Sequence, residues 1–331
     1  MRPAAVTSPG IAAHLDRPSG WFQIGWSAQF PVGGVHPLRY FGRKLVCFRS
    51  AGGRLTVTDA HCPHMGAHLG HGGKVAGEDL VCPFHGWRWS PDGHNTEIPY
   101  SAGTSRRRLG VWPTRERSGI VYLWHDEHGR EPHYEPPRIA EADDPGWYQA
   151  WPEGVHTVHD GRLYPQYVLE NAVDLAHLKY VHGWDEVPVE ESVDEGDTWF
   201  RSSFSGELVT RAGRSPIRNT TEAWGVSCML SRLEGLRETV QLMCTTPVDD
   251  TTSDVRFSVF VRRDPDDPPG QTPGLVRAIV KAQTTGEWDK DAVIWEHMEY
   301  VEKSPVVREE ARAVIAIRRW SRRFYPQVAA P

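Results

Sequence analysis

Two short segments constrain this chain more than anything else in it: "HCPHMGAHLGHG" at residues 61–72 and "CPFHGW" at residues 82–87. Each sets one cysteine and one histidine in a tight turn, as Cys62-x-His64 and Cys82-x-x-His85, with residues 65–81 between the pairs. Segments this polar and turn-prone do not form core, and two thiolates with two imidazoles make a metal-ligand set. Zinc accepts such a set tetrahedrally. Zinc fingers, however, usually draw their cysteines from one pair and their histidines from the other. Here each loop supplies one of each, which suits a [2Fe–2S] cluster with two cysteines on one iron and two histidines on the other. Histidine in place of cysteine leaves the cluster less negative and raises its reduction potential. Gly66 and Gly86 allow the tight turns that bring backbone amides toward the cluster sulfurs. His61, His68 and His71 are extra candidates in the first loop, read as solvated or supporting side chains.

Around these loops, residues 21–126 read as short strands. "LVCFRS", "LTVTDA", "LVCPFHGWRWS" and "GIVYLWHD" are rich in β-branched and aromatic residues, and Gly52-Gly53 and Asp92-Gly93 punctuate them. A small all-β sandwich or barrel is expected. Residues 1–20 form an N-terminal extension, and the polar, proline-rich stretch 127–146 reads as a linker to a second unit, 147–331. That unit opens with a helical spacing at Val168, Leu169, Ala172, Val173 and Ala176. Strand-like runs follow near 198–209, 223–232, 238–246 and 254–262, and a helical pattern returns from about Gly286 to Phe324, broken near Ser304-Pro305. Helices packed on a sheet give an α+β class.

A second ligand set lies in "ENAVDLAHLKYVHG" (170–183), where Asn171, Asp174, His177 and His182 are spaced N-x-x-D-x-x-H-x-x-x-x-H. The first three would share one sector of a helix. An ideal helix would turn His182 about 140° away from His177, so the helix must end, bulge or unwind for both to reach one metal. Gly183 is placed to stop it. Two histidines and a carboxylate, with positions left open, form the non-haem Fe(II) arrangement that activates dioxygen.

"CPHMGAHLGHG" with "CPFHGWRW" resembles the cluster-binding motif of Rieske proteins, loops and spacing intact. With the His177/His182 segment after it, nearly the whole chain resembles the Rieske non-haem iron oxygenases. The resemblance implies an N-terminal Rieske domain followed by a helix-grip-like catalytic domain. It implies Cys62, His64, Cys82 and His85 as [2Fe–2S] ligands, and His177, His182 and a late aspartate as ligands of mononuclear Fe(II). In "GEWDKDAVIWEHM" that aspartate is Asp291, since Asp289 would face another side of the helix. Asp174 would link His85 of one subunit to His177 of the next in a head-to-tail ring, usually a trimer, with Asn171 a supporting group nearby.

The implied reaction uses O2 and electrons from NAD(P)H, relayed by a separate ferredoxin reductase with or without a ferredoxin. No Gly-rich dinucleotide fingerprint follows a strand in this chain. "PLRYFGRKLVCFR" and the two loop motifs are most similar to the branch of 3-ketosteroid 9α-hydroxylase oxygenases and cholesterol 7-desaturases. That branch implies hydroxylation or desaturation of a large apolar, steroid-like substrate. A non-steroid secondary metabolite is the alternative, and a Rieske electron carrier without oxygenase activity is the rival from another class. Trp224, Met229, Leu230, Met243 and Trp295 are pocket candidates, while Arg318, Arg319, Arg322 and Arg323 either dock an acidic electron donor or simply end a solvated helix.

Composition narrows the field further. With 331 residues, 24% charged, and a net charge of −6, the chain has no basic field to attract nucleic acid. No run approaches the ~20 apolar residues of a membrane span, and Pro9-Gly10 interrupts the stretch a signal peptide would need, so a cytoplasmic protein is expected. Five cysteines do not make a disulfide framework, and Cys47, Cys228 and Cys244, in apolar strand-like runs, read as buried core thiols.

Overall fold

The computed structural model describes residues 15–326 apart from 211, 212 and 236. Most of the extension expected at 1–20 therefore lies outside the described residues. The N-terminal part is built from β1 (Gly20–Trp26), β2 (Val35–Tyr40), β3 (Arg43–Arg49), β4 (Leu55–Asp59), β5 (Lys74–Ala76), β6 (Asp79–Val81), β7 (Arg88–Trp89), β8 (Asn95–Glu97), β9 (Val111–Trp112), β10 (Thr114–Arg117) and β11 (Ile120–His125). They form three small antiparallel sheets, ordered β1-β11-β10, β2-β3-β4-β9 and β5-β6-β7-β8. Gly-containing turns between short β-branched runs give this architecture, as the sequence suggests.

The C-terminal part carries β12 (Trp147–Tyr148), β13 (Val155–Gly161), α1 (Pro165–Glu170), α2 (Ala176–Tyr180), β14 (Val189–Glu195), β15 (Trp199–Thr210), β16 (Gly213–Trp224), β17 (Cys228–Glu234), β18 (Thr239–Pro247), β19 (Ser253–Arg262), α3 (Gly274–Lys281), α4 (Trp288–Trp295) and α5 (Arg308–Ser321). Its strands make one antiparallel sheet ordered β12-β19-β18-β17-β16-β15-β14, with β13 also paired to β19. Two boundaries differ from the sequence reading. Residues 223–232 are not one strand but the end of β16, a turn through Gly225 at φ +59°, and the start of β17. The late helical stretch begins at Gly274, not Gly286, and runs through a wide π-type turn at Ala282–Gly286 into α4. Pro273-Gly274 looks like a breaker in sequence, yet here it starts the helix.

Side chains alternate across a strand, so the large sheet has two faces. Both are buried. Met229, Phe257 and Val255 pack with Trp288, Trp295 and Ile317 of the helices. Cys228, Leu230, Leu242, Cys244 and Phe260 pack instead with Trp21, Trp26, Tyr122 and Trp124 of the N-terminal part. This explains why β19 is buried at nine consecutive positions, Ser253 to Val261. The stretch 127–146 joins the same core and is not a free tether: Ile139 is fully buried in it, and Trp21 Nε1 donates to the Tyr134 carbonyl.

Cys47, Cys228 and Cys244 are free, buried thiols. The four late arginines are already engaged: Arg318 pairs with Glu170, Arg319 and Arg323 with Glu195, and Arg322 with Glu302. They end a helix in its own ion pairs and are not a free basic patch. Among the described residues, no helix is long and apolar enough to cross a membrane.

Candidate metal centres

The sequence C-P-x-x-G occurs twice, at 62–66 and 82–86, and folds into the same turn twice. Cys62 N–H donates to Ala67 O and Gly66 N–H to Cys62 O, both at 2.9 Å. In the second loop, Cys82 N–H donates to Trp87 O at 2.8 Å and Gly86 N–H to Cys82 O at 3.0 Å. Gly66 and Gly86 take φ of +75° and +71°, which L-residues rarely adopt. Both cysteines are buried, and the His64 and His85 rings stand 4.8 Å apart between centroids. His64 stacks on Trp87, whose Nε1 donates to the Tyr100 hydroxyl. His85 Nδ1 is buried without a protein partner, as a nitrogen meant for a metal would be. Among the described residues, the one set of three or more His, Cys, Asp or Glu side chains close enough for a single ion lies elsewhere. The four Cys/His side chains therefore do not close around one tetrahedral zinc. A two-iron cluster needs that wider spread. His68 Nδ1 accepts from Gly70 N–H, and its ring packs between His61 and His71, outside the four.

The second centre departs from expectation in its backbone. Asn171, Asp174 and His177 do not share a helix: α1 ends at Glu170, and 171–175 is a turn leading into α2. Asp174 instead holds the start of α2. Its Oδ1 accepts the His177 N–H at 3.3 Å, and its carbonyl accepts from His177 Nδ1. The link to the His177 ring thus runs through the main chain, not the carboxylate, which is exposed. With Nδ1 occupied, Nε2 is left with its lone pair free. After Tyr180 the helix widens, with His182 N–H donating to His177 O five residues back, and Gly183 turns the chain at φ +77°. The two rings meet edge-on, 5.0 Å between centroids.

On α4, Trp288, Asp291 and Trp295 form the buried face, whereas Asp289 is exposed. Asp291 accordingly joins the two histidines, and one ligand atom from each of His177, His182 and Asp291 lies within 4.8 Å of the others. Asn171 Nδ2 donates to Asp291 Oδ2 at 3.4 Å, while Oδ1 is 3.2 Å from His182 Nε2. Glu287, which the sequence reading missed, sets Oε2 2.5 Å from His182 Nδ1. The contact is close but off-line for the N–H, and Nδ1 has no better-aligned partner. Burial opposes a charge on His182, but Asp291 and Glu287 outweigh it and hold its pKa up to about 9. At His177 burial prevails and lowers the pKa. A histidine pressed between two carboxylates is a place where a divalent cation takes over from a proton.

The three side chains border a cavity of about 370 Å³. Met229, Met243 and Trp295 line it, as expected, together with Trp184, Phe204 and Trp288. Trp224 and Leu230 do not, and the period of two is the reason: both point to the opposite face, against the N-terminal strands.

Comparison with known proteins agrees with this geometry. Residues 20–112 match the Rieske [2Fe–2S] domain family, and residues 123–325 match the 3-ketosteroid 9alpha-hydroxylase C-terminal domain. A probable 3-ketosteroid-9-alpha-monooxygenase oxygenase component from Rhodococcus rhodochrous is 30% identical over 93% of this chain and 80% of its own length. Cholesterol 7-desaturase of Xenopus laevis is 27% identical over 93% of this chain and 72% of its own length. A crystal structure of dicamba monooxygenase bound to dicamba has the same fold, with a TM-score of 0.75 at 18% identity over 93% of this chain and 97% of that one. Two Cys-Pro-x-x-Gly loops in the N-terminal part, a His/His/Asp cluster in the C-terminal part, and family matches over residues 20–112 and 123–325 place this chain in the Rieske oxygenase family, with a catalytic domain of the 3-ketosteroid 9α-hydroxylase type.

Proposed function

We propose that this chain is the terminal oxygenase component that hydroxylates or desaturates a large apolar, steroid-like substrate. It would use O2 and electrons that start at NAD(P)H and arrive through a separate reductase. The observation that carries this reading is the meeting of His177, His182 and Asp291 on the wall of a largely apolar cavity. Cys62, His64, Cys82 and His85 would hold the [2Fe–2S] cluster, and His177, His182 and Asp291 the Fe(II). When bound, these groups supply single-electron transfer and dioxygen activation. The chain's own residues do the rest. The Asp174 carbonyl fixes the tautomer of His177, Asn171 orients the Asp291 carboxylate, and Trp184, Phe204 and Trp288 help keep water from the cavity. The steroid-like class is supported by the names of the relatives and by the apolar walls.

Assembly belongs to the same reading. Met65, Phe84 and Tyr100 are exposed at the cluster end, and Tyr180, Ile294 and Met298 are exposed near the outer side of the second centre. Apolar side chains left open at both ends support a head-to-tail ring, a trimer, in which His85 of one subunit meets Asp174 of the next. The test is a single turnover of pre-reduced protein with a panel of steroids and O2, read by mass spectrometry. An oxidised steroid is expected with the wild type and none with His177→Ala, whose cluster spectrum should survive. Loss of the cluster in that variant would contradict the assignment of the two centres, and no product from any steroid with iron in place would contradict the substrate class.

A further inference from the structure

From Gly274 to Trp295 the chain is one helix with a fault in it, because α3 and α4 are joined through the wide turn at Ala282–Gly286. α3 buries Val276, with Ile279 and Val280 beside it, against Tyr148, Val259 and Val261. α4 buries Trp288, Asp291 and Trp295. On an unbroken α-helix the second stripe would point about 100° away from the first. An i to i−5 bond encloses one residue more than an i to i−4 bond, and one residue is about 100° of helix. The wide turn thus brings both stripes onto one side. Closed into α form, it would lift α3 off the sheet or swing Asp291 away from His182.

The hydrogen bonds of the turn show what keeps it open. Thr284 Oγ1 and Thr285 Oγ1 donate to carbonyls four residues back, Val280 O at 2.8 Å and Lys281 O at 3.1 Å. Such bonds compete with the main-chain ladder and loosen it. In an α-helix the Glu287 N–H would meet the Gln283 carbonyl. Here it donates to Ala282 O at 3.0 Å instead. Gln241 Nε2, reaching across from β18, donates to the Gln283 carbonyl in its place. A main-chain carbonyl that loses its helical partner away from water is destabilising unless another donor meets it. The threonine bonds lie within the helix and would move with it, whereas the Gln241 bond ties the turn to the sheet.

We infer that Gln241 is a positioning residue for the second metal centre: standing in for the Glu287 N–H at the Gln283 carbonyl, it keeps the turn wide and holds α4 in the register that presents Glu287 and Asp291 to His182. The inference rests on reading His177, His182 and Asp291 as the iron ligands, and it adds to them a residue that acts through the main chain of another element. Glu287 follows the turn directly and Asp291 lies four residues further on, so a slip in the turn moves both carboxylates together.

The test reads iron binding and ligand geometry, not turnover. Fe(II) affinity of the full chain is measured against a chelator, and nitric oxide is then added as a probe with the cluster oxidised and EPR-silent. The wild type should give a high-spin Fe(II)–nitric oxide signal. Gln241→Leu, and Gln241→Glu, which is of equal size but ionised with no hydrogen to donate, should each weaken Fe(II) binding about tenfold. Both should also change the shape of the signal while leaving the cluster absorption intact. Deleting Thr285 removes the extra residue, so the helix closes with both stripes in place and a main-chain N–H meets the Gln283 carbonyl. In that background Gln241→Leu should change the affinity by about twofold or less. If the deleted chain does not fold, the two Gln241 variants decide alone. Unchanged affinity and signal in both variants overturns the role, as does a loss that is equal with and without Thr285, which would make Gln241 a packing residue. A wild type that gives no such signal after Fe(II) is added would contradict the iron centre itself, and this role with it.

Discussion

Glu287, the residue just before α4, stands four positions ahead of Asp291, so the two carboxylates approach the same histidine, one toward each ring nitrogen. A carboxylate behind a ligating histidine orients the ring and raises its basicity, and losing it commonly weakens metal binding about 10- to 100-fold. Glu287→Gln is therefore expected to weaken Fe(II) retention by roughly that factor on dialysis against a chelator, with the cluster absorption unchanged. Equal retention would show that the contact is incidental. Asp291→Asn should lose the mononuclear iron and Asp289→Asn should keep it, as metal analysis would show; the reverse pattern would move the ligand. Residue types made most of these candidates legible in the sequence. Cysteine and histidine in tight turns have few other uses, and helical period separates Asp291 from Asp289. Glu287 was not legible, because an acid on a short helix normally faces water, and only the fold brings His182 to it from another segment.

Among the elements, the two cluster loops share a sequence and a turn but differ in surroundings. A Cβ on Gly66 would meet nothing within 4 Å, whereas one on Gly86 would stand 3.0 Å from Pro99 Cγ. Gly66→Ala should cost about 1–2 kcal/mol from its left-handed backbone alone. Gly86→Ala should cost more and lose more acid-labile sulfide, with a lower melting temperature. Equal losses would mean that Pro99 yields freely. The strands of the N-terminal part were readable because β-branched runs alternate with glycine turns. The break between β16 and β17 was not, because Ala223 to Leu230 is apolar but for Gly225 and Ser227, and only Gly225, at positive φ, marks the reversal. The widened turn after Tyr180 was anticipated as a need, since two histidines five apart cannot otherwise face each other. Its form, an i to i−5 bond closed by Gly183, came only from the structure.

At the scale of the molecule, the two parts are fused through the sheet face that carries Leu230, Leu242 and Phe260, against Trp21 and Tyr122. Such contacts join residues more than a hundred positions apart in sequence, so sequence pattern shows that these residues are buried but not against what. The cluster loops pack in a different core, around Val46, Leu80 and Trp89, with no residue in common with the core around the second centre. Electrons crossing between subunits would bypass that separation. Phe84→Asp, at an exposed position beside His85, should shift the protein toward monomer in light scattering and slow transfer between centres without removing the cluster. An unchanged oligomer with an unchanged rate would refute the head-to-tail ring. The central claim, two different iron centres in one chain, is tested most directly by iron and sulfide analysis with an EPR spectrum of the anaerobically purified, dithionite-reduced protein. The account predicts a Rieske-type signal with about two sulfides and about three irons per chain. A Rieske signal with only about two irons, persisting after anaerobic Fe(II) is added, would contradict it and leave an electron carrier in place of an oxygenase.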